Sequence, residues 1–460
     1  MDAVSGVRRS WPGRLLAVVG LAAIAGMLFP ALPAYAGSTH VPCSVQALVK
    51  AISAANASPG ADTLRLERKC TYRLLTPNNA GNGLPTITSR ITIDGNGATI
   101  TRARSAPDFR ILHVGVAGDL TLNKTTISGG VATDCPGAPS PPFPPGIVCG
   151  GGIDNQGVLT VNHSRVINNA ASSAVYVEGG GIDSDGPSAT LNDTEVSGNT
   201  VQYTGTEVSV AAGGGIANDG PVTINRSRVH HNTTSVRANT GSFATGAIAV
   251  FAQLTIKGST ISDNRSSAPG GTARGAVNNS ATVTVTDTIF RNNTADAPHG
   301  TANGGAVANG GTMSLTDSLI TGNTATAKDG TVTGGGISVS PVGDLTLSRT
   351  TVRDNAATAS GGTARGGGIS NLLGGTVRTD QSGITKNSAS APGGGTAQGG
   401  GIFNAIGSTT LNKSTVTDNR AGDGGGIFKA SGTVTLNDTL VKRNHPNNCA
   451  PPGSVPGCTN

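Results

Sequence analysis

From residue 150 onward one unit of about 30 residues recurs ten times, and no other feature constrains the fold as tightly. It reads Gly-Gly-(Gly/Ala)-(Ile/Val), a turn, an alternating apolar strand such as Val158-Leu-Thr-Val161, then Ser/Thr-x-(Val/Ile/Phe)-x-x-Asn. The anchoring apolar residues are Ile153, Ile182, Ile216, Ile248, Val277, Val307, Ile337, Ile369, Ile402 and Ile427, and the closing asparagines are Asn169, Asn199, Asn232, Asn264, Asn293, Asn323, Asn355, Asn387, Asn419 and Asn444. Anchor and asparagine are always 16 to 18 residues apart, whereas the path to the next anchor varies from 8 to 17. One arc of the unit is therefore geometrically fixed, and the other reads as a loop of variable length.

Period-two alternation in the fixed arc fits three short strands, with no helical period and no hairpin chemistry at the strand ends. Such a unit cannot bury its own apolar residues and must stack on its neighbours. The predicted fold is all-β, a parallel β-solenoid with rungs about 4.8 Å apart and a short N-terminal capping helix. Composition agrees. Gly is 69 of 460 residues while aromatic residues are 3 % and charged residues 13 %, which suits tight repeated turns and excludes an ordinary two-layer core. The closing asparagines are expected to form one structural ladder, each tolerating left-handed backbone angles and bonding to its equivalents above and below.

The ends differ from the repeat. Residues 1–36 read as a signal peptide: Arg8, Arg9 and Arg14 precede the apolar stretch Leu15 to Leu28, and Ala34-Tyr35-Ala36 forms a cleavage site. Its removal takes three Arg and Asp2 and lowers the net charge from +6 to +4, too little for a nucleic-acid-binding stripe, and leaves no membrane span. The expected localisation is secreted, extracellular. Residues 37–109 form an N-terminal cap and first rungs, where Ser44 caps a helix carrying Val45, Leu48, Val49 and Ile52. Residues 110–445 carry the rungs and 446–460 a C-terminal cap. All six cysteines lie in the exported part, an even count that reads as disulfides between sequence neighbours: Cys43–Cys70, Cys135–Cys149 and Cys449–Cys458.

The opening, Ser44-Val-Gln-Ala-Leu-Val-Lys-Ala-Ile-Ser to Leu64 followed by Ile91-Thr-Ile-Asp-Gly-Asn-Gly97, resembles that of bacterial secreted right-handed parallel β-helix proteins of the pectate-lyase-like superfamily. The rungs Gly304-Gly-Ala-Val307 and Phe290-Arg-Asn-Asn293 are similar to the repeats of polymorphic outer membrane proteins. The resemblance implies the fold. It carries over no catalytic residue, because the Asn-Thr-Asp, Asp-Asp, Gly-His-Gly and Arg-Ile-Lys motifs of polygalacturonases and the arginine motif of pectate lyases are not found here.

Register gives one candidate site. Asp154 and Asp183 each follow their anchor directly, and Asp185 and Asp219 each lie three positions after theirs. Two stacked carboxylate pairs are expected on one outward-facing arc, with Glu178 close in sequence. Like charges so placed raise a pKa, as acid/base catalysis needs, or hold a hard cation such as Ca²⁺, with Asp154 and Asp183 its first ligands. The plainer reading is of solvated turn aspartates. A second register, Arg165, Glu195 and Arg228, reads as a cross-rung salt-bridge ladder, and the histidines, His230 and His231 included, as surface residues. Tyr176, Tyr203 and Phe243 in the variable arc are candidates for sugar stacking. Together these features point to a polysaccharide-binding, adhesin-like protein of surface or matrix, with a cell-envelope glycan as partner and no organic cofactor. The alternative is a carbohydrate-active enzyme, a lyase or hydrolase, working at the acidic arc.

Overall fold

The computed structural model describes residues 37–136, 146–237 and 241–460; the signal-peptide segment and the interior of the Pro-rich insert lie outside them. Every pair of neighbouring named strands is parallel, and the chain winds through five sheets of 14, 13, 12, 9 and 9 strands. One rung shows the plan: Ile153–Asn155, Val158–Asn162, Arg165–Ile167, Ala170–Ser173 and Tyr176–Glu178, one strand in each sheet. The arc that varies in length is thus no loop. It carries two further strands, whose Ala, Ser and Thr residues lack the apolar alternation that marks the first three.

The interior is divided accordingly. The anchors and the alternating Leu, Val and Ile of the first three sheets form one aliphatic core running the length of the solenoid. The last two sheets close around a second core composed largely of alanine, with Val177, Val201 and Tyr203 among its larger members. Small side chains bring two backbones close together there, so this lobe buries less apolar area per rung than the first.

The asparagine ladder runs unbroken between the lobes. The backbone N–H of Asn169 donates to Asn199 Oδ1 at 3.0 Å, that of Asn199 to Asn232 Oδ1, and so on through Asn419 to Asn444. Each Nδ2 also donates to the next Oδ1. The left-handed angle falls elsewhere than expected: the residue before each ladder asparagine adopts it, as at Asn168, His231 and Asp354 with φ of 55°, 53° and 54°. The asparagine itself is buried because its amide replaces backbone partners at the corner. Glycine is required beside it, since a Cβ on Gly152 would lie 2.8 Å from Asn169 Nδ2. A second ladder, of Ser and Thr, lines another corner, where the Thr194 and Ser227 N–H groups donate to the next hydroxyl oxygen.

A single helix precedes the first rungs. Ser44 accepts from Ala47 N–H at the start of Val45–Ala57, and Leu48 and Ile52 of this helix are buried against the first rungs. The three disulfides are Cys43–Cys70, Cys135–Cys149 and Cys449–Cys458. Among the described residues no helix is long and apolar enough to cross a membrane.

Candidate active site

In the 12-stranded sheet the first residue of each strand enters the aliphatic core, so by alternation the second faces the opposite side. His113, Asp154 and Asp183 occupy that second position in three successive strands, in direct register. The side they face is covered by the neighbouring nine-stranded sheet, and all three are buried, both aspartates completely. The expectation of an outward-facing arc fails for this pair. The sequence hid the covering strand, Tyr176–Glu178, inside the variable arc.

Four more groups converge on them. Glu178 hangs from the covering strand and accepts a 2.9 Å hydrogen bond from the Tyr176 hydroxyl. Asp185 and Asp219 occupy equivalent turns one rung apart, their N–H groups bonded to Asn155 O and Ser184 O, and both reach solvent at the mouth. Carboxylate oxygens of Asp154, Asp183 and Asp185 lie within 4.8 Å of one another, as do those of Glu178, Asp183 and Asp219. Asp183 belongs to both triads, and neither of its oxygens has a hydrogen-bond partner. On the far side the Cys135–Cys149 sulfurs come within the same distance of Asp183, but as a disulfide they offer no thiolate. Arg110, fully buried, donates to Asp134 Oδ1 and to Cys149 O and so holds this wall in place.

Burial and mutual repulsion set the charge state. Burial, then Glu178 and the other aspartates, pushes Asp183 well above the ordinary carboxylate range. Burial pushes Glu178 up to about 8, aided by Asp219. Asp185 rises to about 7 and Asp219 to about 6, both chiefly through the protein packed around them, with water at the mouth moderating the effect. Burial and Glu178 also raise the Tyr176 hydroxyl. Glu178 and Asp183, on the inner side, therefore hold their protons more firmly than Asp185 and Asp219 at the opening.

His113, read from sequence with the other histidines as a surface residue, is buried instead. Its Nδ1 lies 2.6 Å from Asp154 Oδ2, so one aspartate of the group has a dedicated partner. The signal was present in the register of Leu112–Val114 with the first anchor, but that rung lacks the Gly-Gly prefix. His230 and His231 do lie at the surface, where His230 Nε2 is 3.3 Å from Glu195. Arg165 pairs with Glu195 at 2.9 Å, and Arg228 stands in the same register. A depression of about 300 Å³ lies over these residues, and its carboxylates are already paired with arginines.

The three aromatics separate. Tyr203 is closed to solvent in the second core, with its hydroxyl donating to Glu207 O, so it cannot stack on a sugar. Tyr176 serves Glu178. Phe243 is half-buried with the Arg274 guanidinium 4.8 Å above its ring. No protein-family model matches the chain, and the search of curated proteins gives no match either.

Proposed function

We propose that this chain is a secreted polysaccharide-cleaving protein that hydrolyses a glycosidic bond at the acidic cluster. The observation that carries this reading is Asp183, fully buried without a partner between two triads of carboxylate oxygens. A surface that only adheres gains nothing from like charges held together at this cost, whereas acid/base catalysis needs carboxyls whose environments push their pKa values apart. Glu178, near 8, retains its proton at neutral pH and suits protonation of the leaving oxygen, with Tyr176 orienting it. Asp219, near 6, ionises first and is open to substrate. Their oxygens lie within 4.8 Å, nearer the ~5–5.5 Å carboxyl separation of retaining glycosidases than the ~6.5–9.5 Å of inverting ones. Asp219 is then the nucleophile and Glu178 the acid/base. Asp183 holds a proton beneath them, and the His113–Asp154 pair fixes the floor.

A second reading is favoured by the same orphaned oxygens. A hard cation such as Ca²⁺ would find five carboxylates, Asp154 and Asp183 first among them, while the nearby sulfurs are tied up in a disulfide and offer no thiolate. One experiment separates the readings: purified protein is incubated with neutral and acidic polysaccharides, with and without chelator, while new reducing ends and absorbance of unsaturated products are followed. Hydrolysis predicts reducing ends without unsaturation, insensitive to chelator. Loss of all turnover with chelator would transfer the site to the cation, and no turnover on any glycan would leave adhesion as the function.

A further inference from the structure

The outward face of the 14-stranded sheet differs from that of its 13-stranded neighbour. Inward Leu, Val and Ile alternate along each strand with outward residues. In direct register the central outward position is threonine in eight successive strands, from Thr63 through Thr160 and Thr223 to Thr284. Ser314 and Thr346 extend the row until Arg378 ends it. Among the described residues the hydroxyls of this row bond to no other protein group, whereas the corner threonines Thr194 and Thr288 commit theirs to Asn192 O and Thr286 O. Beside it runs a row of asparagine, in which Asn162, Asn192 and Asn225 each donate Nδ2 to the Oδ1 of the preceding rung and so hold one another in place. Over the six rungs from Val158–Asn162 to Thr312–Thr316 the outward positions hold one charged residue, Lys257. On the 13-stranded sheet the same rungs carry Arg165, Glu195, Arg228, His230 and Arg291. Strand propensity favours threonine on both sheets alike, so propensity alone does not make the unbroken row.

Parallel register turns these rows into a grid, about 4.8 Å from rung to rung and about 6.6 Å between alternate residues of a strand. Each threonine offers a hydroxyl that donates and accepts, next to a methyl that does neither. Water over such a grid is pinned at the hydroxyls and ordered around the methyls. Its repeats are then close to those of the oxygens on the faces of hexagonal ice. A charged side chain would orient water around itself and break the pattern. Other occupants fit less well. The six rungs cover about 29 Å by about 16 Å, roughly 460 Å², short of the ~800 Å² per partner of a stable protein interface. No aromatic ring stands on the face for a sugar to stack on, and its lack of charge offers nothing to an anionic polymer.

We propose that this face binds ice, holding the protein to a crystal through an ordered layer of water. The observation that carries it is the register-locked grid of uncommitted threonine hydroxyls and methyls on an almost uncharged face. It is independent of the acidic cluster and of any glycan.

The test is uptake into ice. Full-length protein in buffer is frozen slowly onto a chilled probe, and the protein in the ice is compared with that left in the liquid, alongside an unrelated protein of similar size. Crystal habit is followed by microscopy just below the melting point. The variants are Thr190→Tyr, Thr223→Tyr, the milder Thr190→Ser and Thr190→Val, and Thr260→Tyr on the 13-stranded sheet as the control. Wild type should enter the ice at least tenfold more than the unrelated protein and should facet the crystals. Thr190→Tyr and Thr223→Tyr should each lower uptake fivefold or more at an unchanged melting midpoint, while Thr260→Tyr and Asp183→Asn keep the wild-type value. Thr190→Val, which retains the methyl, should lose less than Thr190→Ser, and this pair carries the test if a tyrosine variant fails to fold. Exclusion of the wild type from ice, rounded crystals, or an equal loss in Thr260→Tyr would overturn the proposal. So would a dimer in sedimentation, or binding to microcrystalline cellulose, that Thr190→Tyr abolishes, because the face would then serve a second copy or a glycan surface.

Discussion

Two parts of the solenoid obey the same stacking rule with opposite electrostatic results. At the outer corners, parallel register sets Asp193 under Arg226, Asp317 under Arg349 and Asp418 under Arg443, and the guanidinium holds each carboxyl below its usual range, down to about 2 for Asp418. In the acidic cluster, register sets Asp183 on Asp154 and gathers Glu178, Asp185 and Asp219 around them, and burial pushes Glu178, Asp183, Asp185 and Asp219 upward. A repeat can place opposite charges in every rung at little cost. That it places like charges together in one spot, under cover, is the strongest indication that this spot does chemistry, because strain of this kind concentrates at functional sites.

The largest expected effect breaks the acidic side of this contrast. Glu178→Gln should lower turnover of any glycan substrate by about 10²–10⁴-fold, the usual contribution of a positioned acid, while leaving the circular dichroism spectrum unchanged. Unchanged turnover would remove Glu178 as the acid.

The ladder between the lobes comes next. Asn293→Ala removes an amide that donates to Ile261 O and Asn323 Oδ1 and accepts from Asn264, all buried. With several partners left unsatisfied, the cost should be at least about 2 kcal/mol by denaturant titration. A loss within error would mean that water replaces the amide.

A smaller effect separates the two regions by pH. Asp183 and Glu178 have folded pKa values above their unfolded ones, so the folded chain keeps protons that the unfolded chain releases from about pH 4 upward. Stability from these groups is complete below that range and is lost as pH rises through the folded values, near 8 for Glu178. Asp183→Asn should therefore melt higher than wild type by roughly 2 °C or more at pH 8, and no higher at pH 4. The smallest effect belongs to the corners: Arg349→Ala should leave the melting midpoint at pH 7 and physiological salt within error, as exposed pairs contribute little.

What the sequence reveals follows from where its period is strict. The anchors and the asparagine ladder rest on constant spacing, and the structure places them accordingly; the N-terminal helix and the disulfide pairs rest on local signals, the capping Ser44 and the adjacency of cysteines along the chain. So does the stacking of Asp154 on Asp183. The covering strands escape a sequence reading because they are only three residues long, their inner residues are largely Ala, and the segments between them vary in length. With them go the burial of the aspartates, the packing of Tyr203 and the geometry of Glu178. His113 escapes for a related reason, since its rung precedes the regular repeat.

The most direct measurement is the stereochemical course of cleavage. The protein is incubated with a polysaccharide on which it releases reducing ends, and the anomer first formed is read by proton NMR before mutarotation. The close approach of Glu178 and Asp219 predicts retention of configuration, lost together with turnover in Asp219→Asn. An inverted first product, or full turnover in Asp219→Asn, would contradict the account.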